Sequence, residues 1–452
     1  MENASKKPSR ELVDVITQQL LLGLEQPLRH RLEEMHPAEV ANLLESLPPE
    51  ARRNLWEFIP PEHEGEILSN LRDTVRASII GEMERHELVA AAESMDVEDL
   101  AEVIDELPEN LTESLLSALD ADHRSRLEIT LAFEEESAGR LMSTDIISVR
   151  PDVTLAVVWR YLRRFGSLPT HTDAISVIAE TGHYLGKLPL TEVVTGQPDK
   201  LVSEVMQRQP DWVYADTEAR KVAELFEQRD LISVAVLDRH EILLGVITVD
   251  DAVDIIREEA DRALMKRAGL KEDEDLFAPI FPSAKRRAVW LGINLATVFL
   301  ASWVIGFFED ALSQIVALAV LMPIVASMGG IAGTQTLTLT IRGIALGHIG
   351  SSNLRWLIVK EIGVGILNGL VWALVVAVIT FAWFQEPGIA LTIAAAMVIN
   401  LLAASLCGVV IPITLHRMKI DPALSAAVIL TTVTDVVGFL SFLGLATLFL
   451  LH

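Results

Sequence analysis

The chain has 452 residues with 63 acidic and 37 basic side chains, a formal net charge of −26, yet its mean hydropathy is +0.36. The charge and the hydropathy separate along the sequence. Residues 281–452 hold 8 Lys/Arg and 6 Asp/Glu, whereas residues 1–280 hold the remaining 29 and 57, a net charge of −28. So acidic a surface excludes nucleic acid as a partner and favours cations. A single cysteine, Cys407, excludes an intrachain disulfide framework and a Cys-rich zinc site.

Residues 1–19 are predicted to form an N-terminal tail, and residues 20–137 a helical domain with an internal repeat of 60 residues. His36–Pro48 aligns with Asp96–Pro108, and each copy has an apolar stripe at i, i+3 and i+4 that ends in Leu-Pro. This repeat predicts a superhelix of stacked helical hairpins. Its acidic face could hold cations, and ordinary solvated surface is the alternative.

From residue 138 onwards, β-branched runs alternate with helical segments in two similar units, 138–200 and 201–251. In the second unit a helix is predicted at Glu218–Arg229, followed by strands at Ser233–Val236 and Leu243–Thr248. The order of strands and helices, and the similar opening of both units, indicate two copies of one α/β module.

This pair of units resembles a tandem of CBS domains, a regulatory module that often binds nucleotides or ions. The resemblance implies that Thr248 and Asp251 contact a ribose, so ATP or another adenine nucleotide is a candidate ligand. The first unit departs from the pattern, because Pro189 and Glu192 stand at the matching positions.

Residues 252–280 are predicted to form a charged connecting (plug) helix that runs on to the first membrane span. At its start Asp251, Asp254 and Glu258 lie at i, i+3 and i+7, so their carboxylates share one helical face. Carboxylates on one face repel one another unless a cation lies between them. A helix of this kind could gate a pore, and a solvated connector is the alternative.

Residues 281–452 contain five long uncharged runs, of which only the last is interrupted, by Asp435. Because about 20 apolar residues span a bilayer as a helix, five transmembrane helices are predicted. They are Ala288–Phe308, Ala311–Ile341, Ile362–Gln385, Pro387–Leu415 and Pro422–Leu451. Loops with Lys and Arg alternate with purely acidic loops, which predicts a cytoplasmic N-terminal part and a C-terminus outside the membrane.

Two features of these spans differ from ordinary lipid-facing sequence. Asp435 lies near the middle of the last span, where a carboxylate is costly and usually faces an ion path; hydrogen bonds from nearby Thr hydroxyls are the alternative. Pro323 and the segment Gly329–Gln335 indicate irregular backbone with free carbonyls, or else a kinked helix.

Together these features define a set of candidate pore ligands. They are Asp435, Gly329, Gly330, Thr334, Gln335, Asn368 and Asn400. Each of the two asparagines could instead form an interhelical hydrogen bond.

The order of parts and several motifs resemble the MgtE family of bacterial magnesium channels. The matching phrases are Met328-Gly329-Gly330, Gly333-Thr334-Gln335, Arg342–Gly347, Lys360-Glu361, Asp421-Pro422-Ala423 and Thr434–Gly438. The resemblance implies a homodimer in the lipid bilayer of the bacterial inner membrane, with the pore between protomers. It also implies that Asp435 of each protomer lies near the selectivity site.

Cytosolic Mg²⁺, by the same resemblance, closes the pore by binding acidic residues of the N-domain, the CBS pair and the connecting helix. The implied regulatory ligands are Asp96, Asp99, Asp250, Asp251, Asp254, Glu258, Glu259 and Asp421. The chain departs from the family pattern at two places. Ile331 replaces a common Asn near the pore, and Arg262 and Ala263 replace acidic residues after the Glu-Glu-Ala phrase.

We therefore expect a multidomain protein with an α-helical superhelical N-domain, tandem α/β CBS domains, a connecting helix and a five-helix transmembrane domain. Its predicted function is a magnesium-selective, channel-like permease in which the membrane potential drives Mg²⁺ inward. A carrier for another divalent ion, such as Co²⁺ or Mn²⁺, and a membrane-tethered ion or nucleotide sensor are alternatives. An enzyme is not expected, because the sequence has no Walker loop, His-rich metal site or Ser/His/Asp arrangement.

Overall fold

A computed structural model describes residues 10–169, 171–270, 274–350 and 352–451. The chain divides into two compact units. The N-terminal unit comprises Met1–Asp261 and Asp273–Ala278, and the C-terminal unit comprises Arg262–Glu272 and Pro279–His452.

The described part of the helical domain contains ten helices. They are α1 (Arg10–Leu21), α2 (Glu25–Glu34), α3 (Pro37–Glu45), α4 (Pro49–Trp56), α5 (Pro61–Ser69), α6 (Asp73–Ile80), α7 (Arg85–Glu93), α8 (Val97–Glu106), α9 (Glu109–Ala118) and α10 (Ala121–Leu131). The 60-residue repeat is confirmed, because α2 to α5 recur as α7 to α10 at that spacing.

Proline begins three of these helices, at Pro37, Pro49 and Pro61. The first helical position does not need an N–H donor and suits the fixed φ of proline, so each Pro sets a helix start. The predicted tail is wrong in part, since α1 begins at Arg10 and its Ile16 is fully buried in the core of the helical domain. Residues 1–9 of that tail lie outside the described residues.

Two three-stranded sheets with the same topology follow the helical domain. Their elements are α11 (Ala138–Leu141), β1 (Ser148–Val149), α12 (Leu155–Phe165), β2 (Ala174–Ile178), β3 (Tyr184–Pro189), α13 (Leu190–Thr195), α14 (Val202–Val205), β4 (Trp212–Tyr214), α15 (Ala219–Arg229), β5 (Ser233–Leu237) and β6 (Leu243–Thr248). Each sheet has one parallel pair, β1–β2 or β4–β5, and one antiparallel pair, β2–β3 or β5–β6. The two copies of an α/β module are therefore confirmed.

The segment that opens each copy packs into the other copy, which differs from the predicted boundaries at 138 and 201. Ala138 and Met142 lie in the core of the second sheet, and Val202 lies in the core of the first. The physical reason is backbone pairing between the copies: the Ser143 N–H donates to the Val246 carbonyl at 2.9 Å, a contact that sequence separation hides.

The charged helix α16 (Val249–Arg267) follows β6 directly. The prediction that it continues to the first span is wrong, because it ends at Arg267 and the next helix begins at Ile280. Gly269 explains the end: its φ of +71° is left-handed, and a Cβ there would lie 2.5 Å from the indole of Trp290.

The C-terminal unit is built from long apolar helices. They are α17 (Ile280–Gly306), α18 (Glu309–Gln314), α19 (Val316–Ala345), α20 (Leu354–Phe384), α21 (Pro387–Arg417) and α22 (Pro422–Leu450). All except the short α18 are long and apolar enough to cross a membrane, which confirms the five predicted spans. The most buried of them is α21, which packs against α19, α20 and α22. The predicted multidomain fold class is confirmed.

Candidate functional site

Helices α8 and α16 present carboxylates to each other within the N-terminal unit. For three residues of α8, the negative charge of one residue in the N-terminal half of α16 raises the pKa of the carboxyl group. The pairs are Glu98 with Asp251, Asp99 with Asp254, and Glu102 with Glu258. The members lie at i, i+1 and i+4 on α8 and at i, i+3 and i+7 on α16, spacings that place them on one face of each helix. We call this set the acidic face.

The acidic face holds several carboxylates partly out of water. Removal from water, reinforced by neighbouring like charges, raises the pKa of Glu98 and Glu102 to about 7. The same causes raise the pKa of Asp99 and Asp251 to about 6. Burial also raises the pKa of Asp254. Near neutral pH the four carboxylates with pKa values of about 6 to 7 are therefore ready to accept either protons or a cation.

Basic side chains neutralise part of the acidic face. Arg257 Nη1 lies 3.7 Å from Asp254 Oδ1, and Arg76 Nη1 lies 3.5 Å from Glu102 Oε2. In the part of the chain that the structure describes, no three His, Cys, Asp or Glu side chains converge on one metal position. The expected mutual repulsion is thus weaker than the α16 sequence indicates, and the arrangement is an open acidic surface rather than a closed metal cage.

A cavity of about 300 Å³ lies beside the acidic face, between the helical domain and the two α/β modules. Five of the eight predicted regulatory residues line it: Asp96, Asp99, Asp250, Asp251 and Asp254. The structure therefore brings together acidic groups that lie about 150 positions apart in the sequence.

The other three predicted regulatory residues lie elsewhere. Glu258 and Glu259 lie further along α16 and do not line the described cavity. Asp421 belongs to the C-terminal unit, where its Oδ2 atom lies 3.2 Å from Lys266 Nζ. In this structure Asp421 thus forms an ion pair with a lysine.

Thr248 and Asp251, the residues implied to contact a ribose, meet at the start of α16. The Thr248 N–H donates to Asp251 Oδ2 at 3.1 Å, and the Thr248 hydroxyl donates to Asp250. These three residues line the same cavity, together with the apolar Ile146 and Pro169 and the polar Ser143, His171, Thr172 and Ser233. Pro189 and Glu192 of the first copy are not among the residues that line this cavity.

Asp435 lies near the middle of α22 and is half-buried in the C-terminal unit. The neighbouring hydroxyls do not bind it. Thr431 and Thr432 donate to the carbonyls of Ala427 and Val428, and Thr434 donates to that of Thr431. Among the residues that the structure describes, no hydrogen bond or ion pair holds the Asp435 carboxylate, so its oxygens remain available to a cation.

The glycine-rich segment of α19 is regular helix, so the expectation of irregular backbone with free carbonyls is wrong. Helix α19 runs unbroken through Pro323 and Gly329–Gln335, and the Thr334 hydroxyl donates to the Gly330 carbonyl at 2.8 Å. Packing explains two of the three glycines. A Cβ at Gly333 would lie 3.0 Å from the Leu430 side chain and one at Gly329 would overlap Asn400, whereas nothing lies within 4 Å of a Cβ at Gly330.

The residues of the candidate pore segment face in two directions. Gly329 is buried inside the helix bundle, whereas Thr334 and Gln335 are exposed on the single chain. Asn368 on α20 is also exposed. The assignment of Gly329 as a pore ligand is therefore wrong, since it serves helix packing, while Gly330, Thr334, Gln335 and Asn368 stay candidates.

Asn400 is also misassigned as a pore group. Its side chain is 0% exposed, and Nδ2 donates to the Val325 carbonyl of α19 at 2.8 Å. The alternative of an interhelical hydrogen bond is thus confirmed for Asn400.

Three acidic residues that the structure places in the acidic face or in the helix bundle were not among the residues predicted from the sequence. Glu98 and Glu102 belong to the acidic face, and the 60-residue repeat contains a signal for them, because the first copy has Ala38 and Asn42 there. Glu361 of α20 is 3% exposed; it pairs with Lys360 and accepts a hydrogen bond from the Thr336 hydroxyl at 3.1 Å. Its burial depends on neighbouring helices and has no local signature.

Family models match three parts of the chain in the order of the fold. The model described as MgtE intracellular N domain matches residues 35–136, the CBS domain model matches residues 202–258, and the model described as divalent cation transporter matches residues 322–445. These matches cover the helical domain, the second α/β copy with part of α16, and most of the apolar helices.

Curated relatives are similar to the chain over most of their length. The chain is 28% identical to "Magnesium transporter MgtE" of Bacillus subtilis (strain 168) over 400 residues, covering 86% of this chain and 89% of that protein. It is 29% identical to the protein of the same name from Thermus thermophilus over 433 residues, covering 95% and 96%.

A solved structure described as the cytosolic domain of the Mg²⁺ channel MgtE in complex with ATP is also similar. It superposes with a TM-score of 0.50 at 29% identity and covers 54% of this chain and 100% of that one. With the three family models in order and with relatives that match along nearly the whole sequence, the chain belongs to the MgtE family of divalent cation transporters.

Proposed function

We propose that this chain is a Mg²⁺ permease in which ions cross the membrane through a pore between two protomers. The observation that carries the proposal is Asp435, a half-buried carboxylate in the middle of α22 that no described residue holds by a hydrogen bond or ion pair. A carboxylate at membrane depth is costly unless it meets a counter-charge or water. A divalent cation passing between two copies of Asp435 supplies that charge.

Exposed polar side chains support a pore that needs a second protomer. Thr334 and Gln335 of α19 and Asn368 of α20 are exposed on a single chain, although both helices are apolar enough to span a membrane. Polar groups at membrane depth face other protein or water rather than lipid. A second copy of the chain provides both.

Magnesium is the ion that best fits this chemistry and the named relatives. Mg²⁺ prefers oxygen ligands and keeps several waters, so two carboxylates could hold it partly hydrated and release it again. A divalent ion moving inward gains about 4.6 kcal/mol per 100 mV of membrane potential, enough to drive uptake without ATP hydrolysis. Both cited relatives are named magnesium transporters.

The acidic face is the proposed sensor of internal Mg²⁺. A cation between α8 and α16 would neutralise carboxylates such as Glu98 and Asp251. Their raised pKa values mean that burial and neighbouring negative charges destabilise the charged forms of these groups. Bound Mg²⁺ then stabilises the packed arrangement of these helices and closes the pore. Only the difference in Mg²⁺ affinity between open and closed states drives this change.

ATP or another adenine nucleotide is the proposed ligand of the cavity beside Thr248. The cavity combines apolar side chains with the Thr248 hydroxyl and several carboxylates, Asp250 and Asp251 among them, and the similar solved structure is a complex with ATP. Thr248→Val removes the hydroxyl and should weaken ATP binding to the full chain by about tenfold, the loss of roughly one hydrogen bond. Titration calorimetry measures this effect; Thr191→Val in the first copy is the control, and equal affinities for all three proteins would contradict the site.

The proposed location is the bacterial inner membrane, with the N-terminal unit in the cytoplasm and the C-terminus on the opposite side. Lys285, Arg286 and Arg287 precede the first spanning region, whereas Glu309, Asp310 and Glu386 occupy the alternate loops. This distribution follows the positive-inside rule.

Flux into liposomes tests the transport proposal. The purified full chain is reconstituted with an entrapped Mg²⁺ indicator, and uptake is driven by a potassium diffusion potential. We expect Asp435→Asn to reduce Mg²⁺ flux to the level of empty liposomes, because the amide removes the charge that meets the cation. Glu386→Gln, at an exposed position before α21, should retain full flux.

The same assay separates the alternatives. Saturable Mg²⁺ flux that Co²⁺ and Mn²⁺ block only weakly supports a magnesium permease, whereas preferred flux of either competitor indicates a different carrier. Equal Mg²⁺ entry with and without protein would leave the chain as a tethered sensor and would overturn the proposal.

A further inference from the structure

Asn400 of α21 lies between glycines of two neighbouring helices. A Cβ added at Gly329 of α19 would overlap its Nδ2 atom, and one added at Gly438 of α22 would lie 2.8 Å from the same atom. Real Cβ atoms essentially never come within 3.0 Å of a neighbour, so neither glycine can gain a side chain while the carboxamide stays in place. Three helices therefore meet around one polar side chain.

Hydrogen bonding fixes the orientation of this carboxamide. Nδ2 donates to the Val325 carbonyl at 2.8 Å, while Oδ1 is fully buried and has no partner among the residues that the structure describes. A buried acceptor without a partner costs on the order of 1–3 kcal/mol. A leucine would avoid that cost but could not donate to the Val325 carbonyl. Asparagine at this position therefore provides a hydrogen-bond donor at the cost of a buried acceptor without a partner among the described residues.

The contact with Gly438 connects Asn400 to Asp435. Gly438 lies three residues, less than one helical turn, after Asp435 on the unbroken helix α22. A rotation or translation of α22 that moved Gly438 against the carboxamide would move the Asp435 carboxylate by a similar distance. Asn400 is also 0% exposed, so it does not itself touch a passing ion.

We propose that Asn400 is a positioning residue for ion selection, since its carboxamide, wedged between Gly329 and Gly438, sets where α22 places Asp435. The inference rests on the proposed function, in which Asp435 lines the pore. Selectivity for a partly hydrated ion depends on the separation of its oxygen ligands, so a small displacement of α22 changes which divalent ion passes best.

Two substitutions displace α22 in opposite ways. Gly438→Ala introduces a Cβ against the carboxamide and pushes the helices apart, whereas Asn400→Ala removes the carboxamide and leaves space. In liposomes we expect each variant to raise the apparent KM for Mg²⁺ about tenfold, the size of one lost hydrogen bond or packing contact, and to lower the Mg²⁺-over-Mn²⁺ flux ratio. In the double variant the methyl group that Gly438→Ala introduces fills part of the vacated space, so the KM should return toward the original value.

Gly444→Ala is the matched control, because it lies on the same helix and nothing lies within 4 Å of its added Cβ. Its KM and flux ratio should equal those of the unmodified chain. Size-exclusion profiles and thermal midpoints in detergent show that each variant is folded; if Gly438→Ala is not, Asn400→Ala still decides the KM and ratio. Folded Asn400→Ala with unchanged KM and flux ratio overturns the inference, and so does an identical effect of Gly444→Ala.

The inference and the proposed function fail in different ways. If Asp435→Asn retains flux, the pore assignment is wrong whatever Asn400 does. If Asp435→Asn abolishes flux while the Asn400 and Gly438 variants keep normal selectivity, Asp435 acts in the pore but Asn400 does not position it.

Discussion

The two units differ in how they hold carboxylates away from bulk water. In the N-terminal unit the carboxylates lie in a group, and burial together with proximity raises the pKa of Glu98, Asp99 and Asp251. In the C-terminal unit they lie singly: Glu361 is buried with Lys360 and Thr336 as partners, and Asp435 has none among the described residues. Partners, rather than burial alone, therefore decide whether a carboxylate serves packing or is available to a cation.

The largest effect on stability is expected from a buried ion pair of the N-terminal unit. Arg52, 2% exposed, donates from Nη1 to Asp275 Oδ2 at 3.0 Å and from Nε to the Leu44 carbonyl at 3.0 Å. Arg52→Gln leaves Asp275 buried without its counter-charge, so we expect a loss of about 3–5 kcal/mol in the free energy of unfolding. The thermal midpoint of the full chain in detergent, followed by circular dichroism, measures it.

The adjacent Arg53 provides the control for this pair. Arg53 is exposed and pairs with Glu82 at the surface, with Nη2 and Oε1 2.5 Å apart, so Arg53→Gln should leave the thermal midpoint close to that of the unmodified chain. Equal shifts of the thermal midpoint for Arg52→Gln and Arg53→Gln would show that burial of an ion pair does not determine its contribution to stability.

A smaller effect is expected at Glu361, and it contrasts with the expected loss of flux at Asp435. Glu361→Gln keeps an acceptor for the Thr336 hydroxyl but leaves Lys360 without its partner, so the C-terminal unit should lose about 1–3 kcal/mol of stability. Mg²⁺ flux per folded molecule should stay within about twofold of the original, a change of about 0.4 kcal/mol. Liposome flux normalised to protein recovered by size exclusion checks this, and abolished flux in well-folded Glu361→Gln would place Glu361 in the ion path.

The smallest effect is expected from protons on the acidic face. The folded pKa of Glu98 is about 7, above its ordinary value, so between roughly pH 4 and 7 the folded chain binds more protons than the unfolded chain. Without divalent cations, stability should therefore rise as the pH falls from 8 to 6. We expect a gain of about 1 kcal/mol or less per carboxylate after solvent screening.

Thermal midpoints in EDTA across this pH range test the expectation. Glu98→Gln should flatten the pH dependence and raise the midpoint at pH 8, and added Mg²⁺ should do the same to the original chain by occupying the face. Glu113→Gln on α9, an exposed position outside the acidic face, should retain the original slope. A midpoint that rises with pH instead would mean that the carboxylates are stabilised in their charged form.

Features with a local signature could be predicted well. Long uncharged runs predict the five spanning helices, because crossing a bilayer sets their length and composition. Periodic apolar residues and the Leu-Pro phrases predict the 60-residue helical repeat, and β-branched runs predict β5 and β6 to within one residue at each end. These properties depend on neighbours along the chain, which the sequence displays directly.

Features that depend on contacts between distant elements could not be predicted in the same way. Gly329–Gln335 suggested irregular backbone, but Gly329 and Gly333 allow close packing within regular helix. The end of α16 depends on Gly269 packing against Trp290. Glu98 and Glu102 became part of the candidate site only when α8 was placed opposite α16.

Composition and periodicity alone determined that an acidic, helix-rich part precedes five apolar spans, and that Asp435 is the one charged residue within the last of them. The tertiary structure alone decided which polar groups have partners: Glu361 and Asn400 are engaged within the bundle, and no described residue engages Asp435. The reason is physical. Hydrophobic periodicity is written along the chain, whereas the cost of a buried polar group depends on the atoms that folding brings next to it.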